Sequence, residues 1–250
     1  IYGQLSADEA LRSRVTTPSS GNIDFLAPSF KRPPMSNPAV RQAFSMATDR
    51  TAYAAAADSA LLRPTFSVLA PIVPGHAEVS PFGTPPSGDP AAAAGVLAAA
   101  GIATPVPVRV VYRSSPAADA GYAALKVGWE RAGFQVQLEP VTDDYYATVS
   151  SSQSAGAYDV FRSAWFADYP SASVVLPTLF DGRMNLTETS TGQDVGSFND
   201  DTVNQALEAA AATGDPDART AAWAQVDQQI ARLGGYIALA ERRRLLMHGA

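Results

Sequence analysis

The sequence predicts an α/β fold, a mostly parallel sheet flanked by helices. Three observations carry that reading. Between Val106 and Trp165, three apolar alternating segments are separated by two segments of helical character, the order that builds β–α–β crossovers. Hydrophobic residues make up 46% of the 250, enough for a sizeable core. Helix starts are written as Asn37-Pro38, Asp89-Pro90 and Asp215-Pro216, each a capping side chain followed by a proline at the first helical position.

The elements follow in order. Residues 1–36 are irregular, broken by Pro18, Pro28, Pro33 and Pro34, with a short strand at Ile23-Asp24-Phe25-Leu26. From Asn37 a helix is predicted to run to about Ala57, with Val40, Ala43, Phe44 and Ala47 on its apolar face. Leu61 to Gly88 is a long Pro/Gly-rich stretch, and loops of that length in compact domains are often functional. A second helix runs from Asp89 to Gly101, a C-terminal cap glycine. Val106–Tyr112 alternates as a strand. Pro116–Ala132 is helical, with Tyr122, Leu125 and Trp129 on one side. Phe134–Val141 is the next strand, Asp143–Ser152 a short helix, and Tyr158–Trp165 the third strand. The remainder is mainly helical: Asp200–Ala212, then a helix from Asp215 carrying Trp223, Val226, Ile230 and Leu233 and ended by Gly234-Gly235. Tyr236–Ala240 and Leu245–Met247 read as strand pieces.

Composition excludes several functions. The net charge is -6 and the densest basic run is Arg242-Arg243-Arg244, so a nucleic-acid partner is not expected. The chain has no cysteine, which removes disulfides, thiolate catalysis and cysteine-held zinc. Its two histidines, His76 and His248, have no metal-ligand spacing, and His76 reads as a solvated loop residue. No nucleophile elbow, phosphate loop or dinucleotide fingerprint occurs. The acid pairs Asp143-Asp144 and Asp200-Asp201 stand where helix caps belong. No catalytic residue, metal or cofactor is therefore expected. No apolar run reaches membrane-spanning length. Ile1 and the apolar approach to Ala250 read as cut ends of a longer protein.

The most informative segment is Tyr158 to Pro170. A buried strand ends in the polar-aromatic loop Trp165-Phe-Ala-Asp-Tyr-Pro170, and ligands sit beyond the carboxyl ends of parallel strands. Asp168, flanked by Trp165, Phe166 and Tyr169, is suited to an ammonium group held by charge and ring faces together. It equally suits an ordinary strand end with a turn aspartate. Arg162 lies in the apolar strand on the face of Val160 and Ala164. Its two readings are a structural ion pair, with Asp159 or an acid on a neighbouring helix, and a socket for a ligand carboxylate.

Several segments together resemble the family 5 extracellular solute-binding proteins, the peptide-type receptors of ABC importers. Asn37-Pro-Ala-Val-Arg-Gln-Ala-Phe-Ser-Met-Ala-Thr-Asp-Arg50 is similar to that family's most distinctive helix. Asp89 to Gly101 is similar to its Asp-Pro…Ala-Gly helix, and Gly128–Val136 matches its helix-to-strand transition. Tyr158-Asp-Val through Trp165-x-x-Asp-Tyr-Pro170 resembles its Tyr-Asp…Trp…Asp-Tyr-x-Asp-Pro segment. Phe198-Asn199, Val203, Asp215-Pro216 and Arg219 resemble its next helical pair. One departure stands in the loop, where the family's Asp-Pro is Pro170-Ser171.

The resemblance implies one lobe of a periplasmic-binding-protein-like (type II) fold. Residues 1–35 would be a remnant of the first lobe and hinge entry, 36–240 the C-terminal ligand-binding lobe, and 241–250 the start of the return crossing. It implies Asp168 for a ligand amine and Arg162 for a ligand carboxylate, with Trp165, Phe166 and Tyr169 as walls. It implies a monomeric, non-enzymatic receptor for a peptide or small-molecule ligand, docking on an ABC permease. The location implied is extracellular or in the cell envelope, and any lipid-anchor cysteine would lie upstream of Ile1. The alternative is a receptor-like lobe reused as a scaffold or sensor.

Overall fold

A computed structural model describes residues 8–58, 60–150 and 156–249. The elements are α1 (Glu9–Arg12), β1 (Val15–Thr16), β2 (Ser19–Pro28), α2 (Pro38–Met46), α3 (Arg50–Asp58), β3 (Leu62–Pro64), α4 (Pro90–Ala99), β4 (Val106–Arg113) and α5 (Pro116–Arg131). Next come β5 (Phe134–Val141), α6 (Tyr145–Val149), β6 (Val160–Phe166), a 3-10 turn (Ala172–Val174), α7 (Leu176–Phe180) and α8 (Gly182–Asn185). The last are α9 (Asp201–Ala212), α10 (Pro216–Leu233), β7 (Ile237–Arg243) and β8 (Leu246–Met247).

Six strands form one sheet in the order β3–β7–β2–β6–β4–β5. The β5–β4–β6 half is parallel, as the β–α–β order of the sequence predicts. The other half is antiparallel, because β2 lies between β6 and β7 and runs against both, and β3 runs against β7. The sheet is thus mixed, and the expectation of a mostly parallel one holds only for its second half. The expected short strand at Ile23–Leu26 is a ten-residue strand between β7 and β6. β1 and β8 pair separately.

Both faces of the sheet are covered. Ile23, Phe25, Val111 and Phe161 face one core with Tyr145, Leu179, Leu207, Trp223 and Ile230. Leu26, Val108, Val110 and Val160 face a second core with Phe44, Tyr53, Leu97, Leu125 and Trp129. Burial on both sides is why the strands read as nearly continuous apolar runs.

Capping chemistry sets the helix starts. Asn37, Asp89, Ser115, Asp144, Asp200 and Asp215 each accept a first-turn amide of the helix they precede. The two acid pairs are therefore caps, through Asp144 and Asp200. The helix expected over Asp143–Ser152 is shorter, Tyr145–Val149, and Ser151 and Ser152 lie outside the described residues.

The single helix expected from Asn37 to Ala57 is two, α2 and α3, broken at Ala47–Asp49. Its local sequence favours helix, and packing overrides it. A β-carbon at Gly128 of α5 would lie 2.6 Å from the Ala47 carbonyl oxygen, so the two backbones touch. Thr48 Oγ1 donates to Phe44 O at 2.7 Å and accepts the Trp129 indole N–H at 3.0 Å. Asp49 then caps α3 by accepting Ala52 N–H at 2.8 Å.

Candidate functional site

The parallel strands β4 and β6 bring their carboxyl ends to one edge, where the loops into α5 and toward α7 begin. That edge carries the candidate site. Beyond β6, Ala167 is buried and anchors the loop, while Phe166, Asp168 and Tyr169 are exposed. Among the described residues the Asp168 carboxylate has no hydrogen bond or ion pair. It is therefore not consumed by capping a turn, and in the chain it lies between Phe166 and Tyr169, whose rings are exposed. Trp165 is partly buried against the first core, and its indole N–H donates to Val174 O at 3.3 Å. It lines a recess of about 310 Å³ with Tyr146, Ser163 and Gln193.

Arg162 makes a structural ion pair, one of its two readings, but with a different acid from those anticipated. It stands three positions before Trp165 on β6 and also borders the Trp165 recess, where its Nη1 lies 3.5 Å from the Tyr146 hydroxyl. Arg162 points to the side of Tyr53 and Tyr122. Its Nη2 lies 3.1 Å from Oδ1 of Asp24 on β2, and Arg242 Nη2 from β7 lies 2.6 Å from Oδ2 of the same carboxylate. Neither anticipated partner is right in kind: Asp159 pairs with Arg32 at 3.1 Å and accepts the Arg109 amide at 2.7 Å. Burial works against the Arg162 charge. Asp24 and the surrounding tyrosines overcome it and hold the guanidinium pKa above its ordinary value.

On that face a second cavity, of about 460 Å³, opens between the start of α5 and the end of β7. Arg113, Arg162, Arg242, Tyr53, Tyr122 and Asp58 line it. Two of its features escape sequence reasoning. Arg113, at the carboxyl end of β4, is exposed and its side chain makes no hydrogen bond or ion pair among the described residues. Tyr122 is 1% exposed and its hydroxyl has no hydrogen-bond partner among the described residues. Burial, then the nearby Tyr53 hydroxyl, push its pKa well up, so it stays a neutral donor. A single cation ending a strand before a helix was the only sequence signal for Arg113. For Tyr122 there was none, because an apolar-face tyrosine reads as core.

The edge can thus receive a cationic group at Asp168 and an anionic group at Arg113. No group of three or more His, Asp or Glu side chains able to hold a metal occurs among the described residues. No helix there is long and apolar enough to cross a membrane.

A covered mixed sheet with open polar groups along one strand edge defines a class, one lobe of the periplasmic-binding-protein-like fold. Comparison makes this specific. The model of the bacterial extracellular solute-binding proteins, family 5 Middle, matches residues 2–185, and the chain belongs to that family.

Solved structures agree in fold. The clavulanic acid biosynthesis oligopeptide binding protein 2 superposes with a TM-score of 0.89 at 23% identity, over 99% of this chain and 46% of its own. The Escherichia coli murein tripeptide binding protein MppA gives 0.81 at 21%, over 98% and 46%. The periplasmic binding protein DppA from Helicobacter pylori, in complex with the peptide STSA, gives 0.79 at 17%, over 98% and 46%. This chain spans about half the length of the structures it matches. Among curated proteins none matches.

Proposed function

We propose that this chain is the C-terminal ligand-binding lobe of an extracytoplasmic receptor. The receptor feeds an ABC importer and captures peptides or similar amine-bearing solutes between two lobes. The observation that carries the reading is the Asp168 carboxylate, exposed and unpaired in an aromatic loop at the strand edge of a family 5 fold. An ammonium group would sit on Asp168 with Phe166 and Tyr169 beside it, and Trp165 would form the floor.

Arg113 and the edge of Arg162 not used by Asp24 would take a carboxylate. Arg162 alone is the weaker candidate, since Asp24 holds its Nη2 and its Nη1 lies 3.5 Å from the Tyr146 hydroxyl. Residues 36–240 would be the lobe proper, completed by β2 at the centre of its sheet; the rest of 1–35 would be the hinge entry from the first lobe, and 241–250 the start of the return crossing. The receptor would be exported to the cell envelope or beyond, would act as a monomer on a membrane permease, and would catalyse nothing. The names of the similar structures, an oligopeptide binder, a murein tripeptide binder and a peptide complex, support the solute class.

The test is peptide-library titration of the complete receptor and its Asp168→Asn form. A lost charge-assisted hydrogen bond is worth about 1.5–3 kcal/mol, so affinity for amine-bearing ligands should fall roughly 10- to 150-fold. Stability should change little, because the side chain is exposed and makes no hydrogen bond or ion pair among the described residues. Equal affinity of the two forms would refute the amine socket. A receptor that ignores the whole library would favour the scaffold or sensor reading, which the Pro170-Ser171 departure in the loop supports.

A further inference from the structure

The Pro/Gly-rich stretch after β3 holds a polar cluster that the ligand site does not use. His76, expected as a solvated loop residue, is not one: its side chain is 15% exposed. Its Nδ1 lies 2.7 Å from the Leu69 carbonyl oxygen and its Nε2 lies 3.4 Å from Glu78 Oε1. Both ring nitrogens therefore face acceptors only. A neutral imidazole has one N–H and one lone pair, so it would satisfy one contact and repel the other. Only the imidazolium satisfies both.

Glu78 is fixed in turn. Its Oε1 accepts Thr65 Oγ1 at 2.7 Å and its Oε2 accepts Phe66 N–H at 3.2 Å. The ring thus closes the turn from Leu69 to Glu78 onto the strand exit at Thr65. Each element around the ring brings a charged or titratable group. Asp227 on α10 is bound by Ser67 Oγ at 2.7 Å and by the hydroxyl of Tyr236, just before β7, at 2.7 Å. Arg50 on α3 stacks over Phe66, 4.4 Å from the ring centroid, and Arg232 on α10 lines a crevice with Ala77 and Val79.

The clipped turn reaches the ligand edge. Its exposed residue Ile72 crowds Gly21 of β2, where a β-carbon would lie 3.0 Å from Ile72 Cδ1 and 3.8 Å from Phe166 Cδ2. Gly75 lies against α10, where a β-carbon would meet Trp223 Cβ at 3.2 Å, so the turn is held by packing at one point and by His76 at another.

We propose that the Leu69–Glu78 turn is a pH-sensitive wall of the ligand edge, closed by the imidazolium of His76 and loosened when that ring loses its proton. As a wall of a ligand site it rests on the receptor reading above. The direction of titration agrees with the geometry. The Glu78 hydrogen bond, against burial, raises His76 above its ordinary value, and the hydrogen bonds to Glu78 hold that carboxyl low despite burial. The clip is complete below the ordinary histidine value of about 6.5 and is lost as the pH rises through the raised one.

The experiment uses the full receptor. The His76 ring resonances, assigned by their loss in H76Q, are titrated by NMR, and amide exchange over Val68–Val79 is followed across the same pH range after correction for intrinsic rates. The expected result is a midpoint above 6.5 and protection that falls about tenfold through it. H76Q should show low protection at every pH, and E78Q a midpoint shifted downward. Affinity for a peptide that binds the receptor should fall several-fold through the same midpoint. A midpoint at or below 6.5, protection indifferent to it, or affinity that ignores it overturns the proposal. A receptor that binds no peptide at any pH overturns the receptor reading instead, while titration and exchange still judge the clip.

Discussion

Replacing Asp24 by Asn should be the most costly single change in the sheet. Asp24 is 1% exposed at the centre of β2 and is the shared partner of two arginines. The two are not equivalent. The Arg242 side chain is 47% exposed and can turn into water when the carboxylate is gone, so its pair contributes less than about 1 kcal/mol. The Arg162 side chain is 18% exposed, beside Tyr53 and Tyr122 at the cavity wall, and would be left as a largely buried charge without its carboxylate.

Cutting a buried pair on one side costs about 3–5 kcal/mol. At roughly 2–4 °C per kcal/mol for a chain of this size, Tm should fall by roughly 6–20 °C. Urea unfolding followed by circular dichroism measures it, with an unchanged slope showing that the unfolded state is unaltered. Asp24→Asn combined with Arg162→Met should recover most of the loss, since an apolar side chain of similar length can fill the site. A loss below about 1 kcal/mol for Asp24→Asn alone would refute the argument, because it would mean that the Arg162 charge reaches solvent freely.

Two further outcomes follow from the packing. Gly128→Ala drives a methyl group to 2.6 Å from the Ala47 carbonyl oxygen and should destabilise by about 1–3 kcal/mol, read by the same unfolding assay. Burial pushes the Asp227 carboxyl up to about 6, so the folded state holds that proton more tightly than the unfolded chain, where an aspartate titrates near ~3.9. That contribution is fully present below about pH 4 and is lost as the pH rises through about 6, a decline of about 3 kcal/mol. Asp227→Asn should flatten the stability profile across that window, and an unchanged slope would show that another group is responsible.

The helix boundaries were largely legible because they rest on chemistry within four residues. Asn37, Asp89 and Asp215 accept amides two or three positions ahead, and the proline after each fixes a helical φ whatever surrounds it. The parallel half of the sheet was legible because two crossover helices impose it. The end of β6 before the Asp168 loop was also readable, since an apolar run closed by Asp-Tyr-Pro stops a strand whatever the aspartate does.

What the chain could not announce depends on partners far away in sequence. The antiparallel half arises because β2, 138 residues before the arginine it neutralises, inserts beside β6. No local pattern encodes that neighbour. The same insertion decides that Arg162 is held by Asp24 rather than offered whole to a ligand. The break between α2 and α3 comes from Gly128 and Trp129 pressing on Ala47 and Thr48, against the local helix preference. His76 reads as a solvated loop residue in sequence, and only the fold brings Leu69 O and Glu78 to its two nitrogens. Backbone capping and periodicity are short-range, so the sequence by itself determined the elements and the loop that carries Asp168. Charge pairing and close backbone approach act through space, so only the tertiary structure decided which arginine stands free at the strand edge and which is already spoken for.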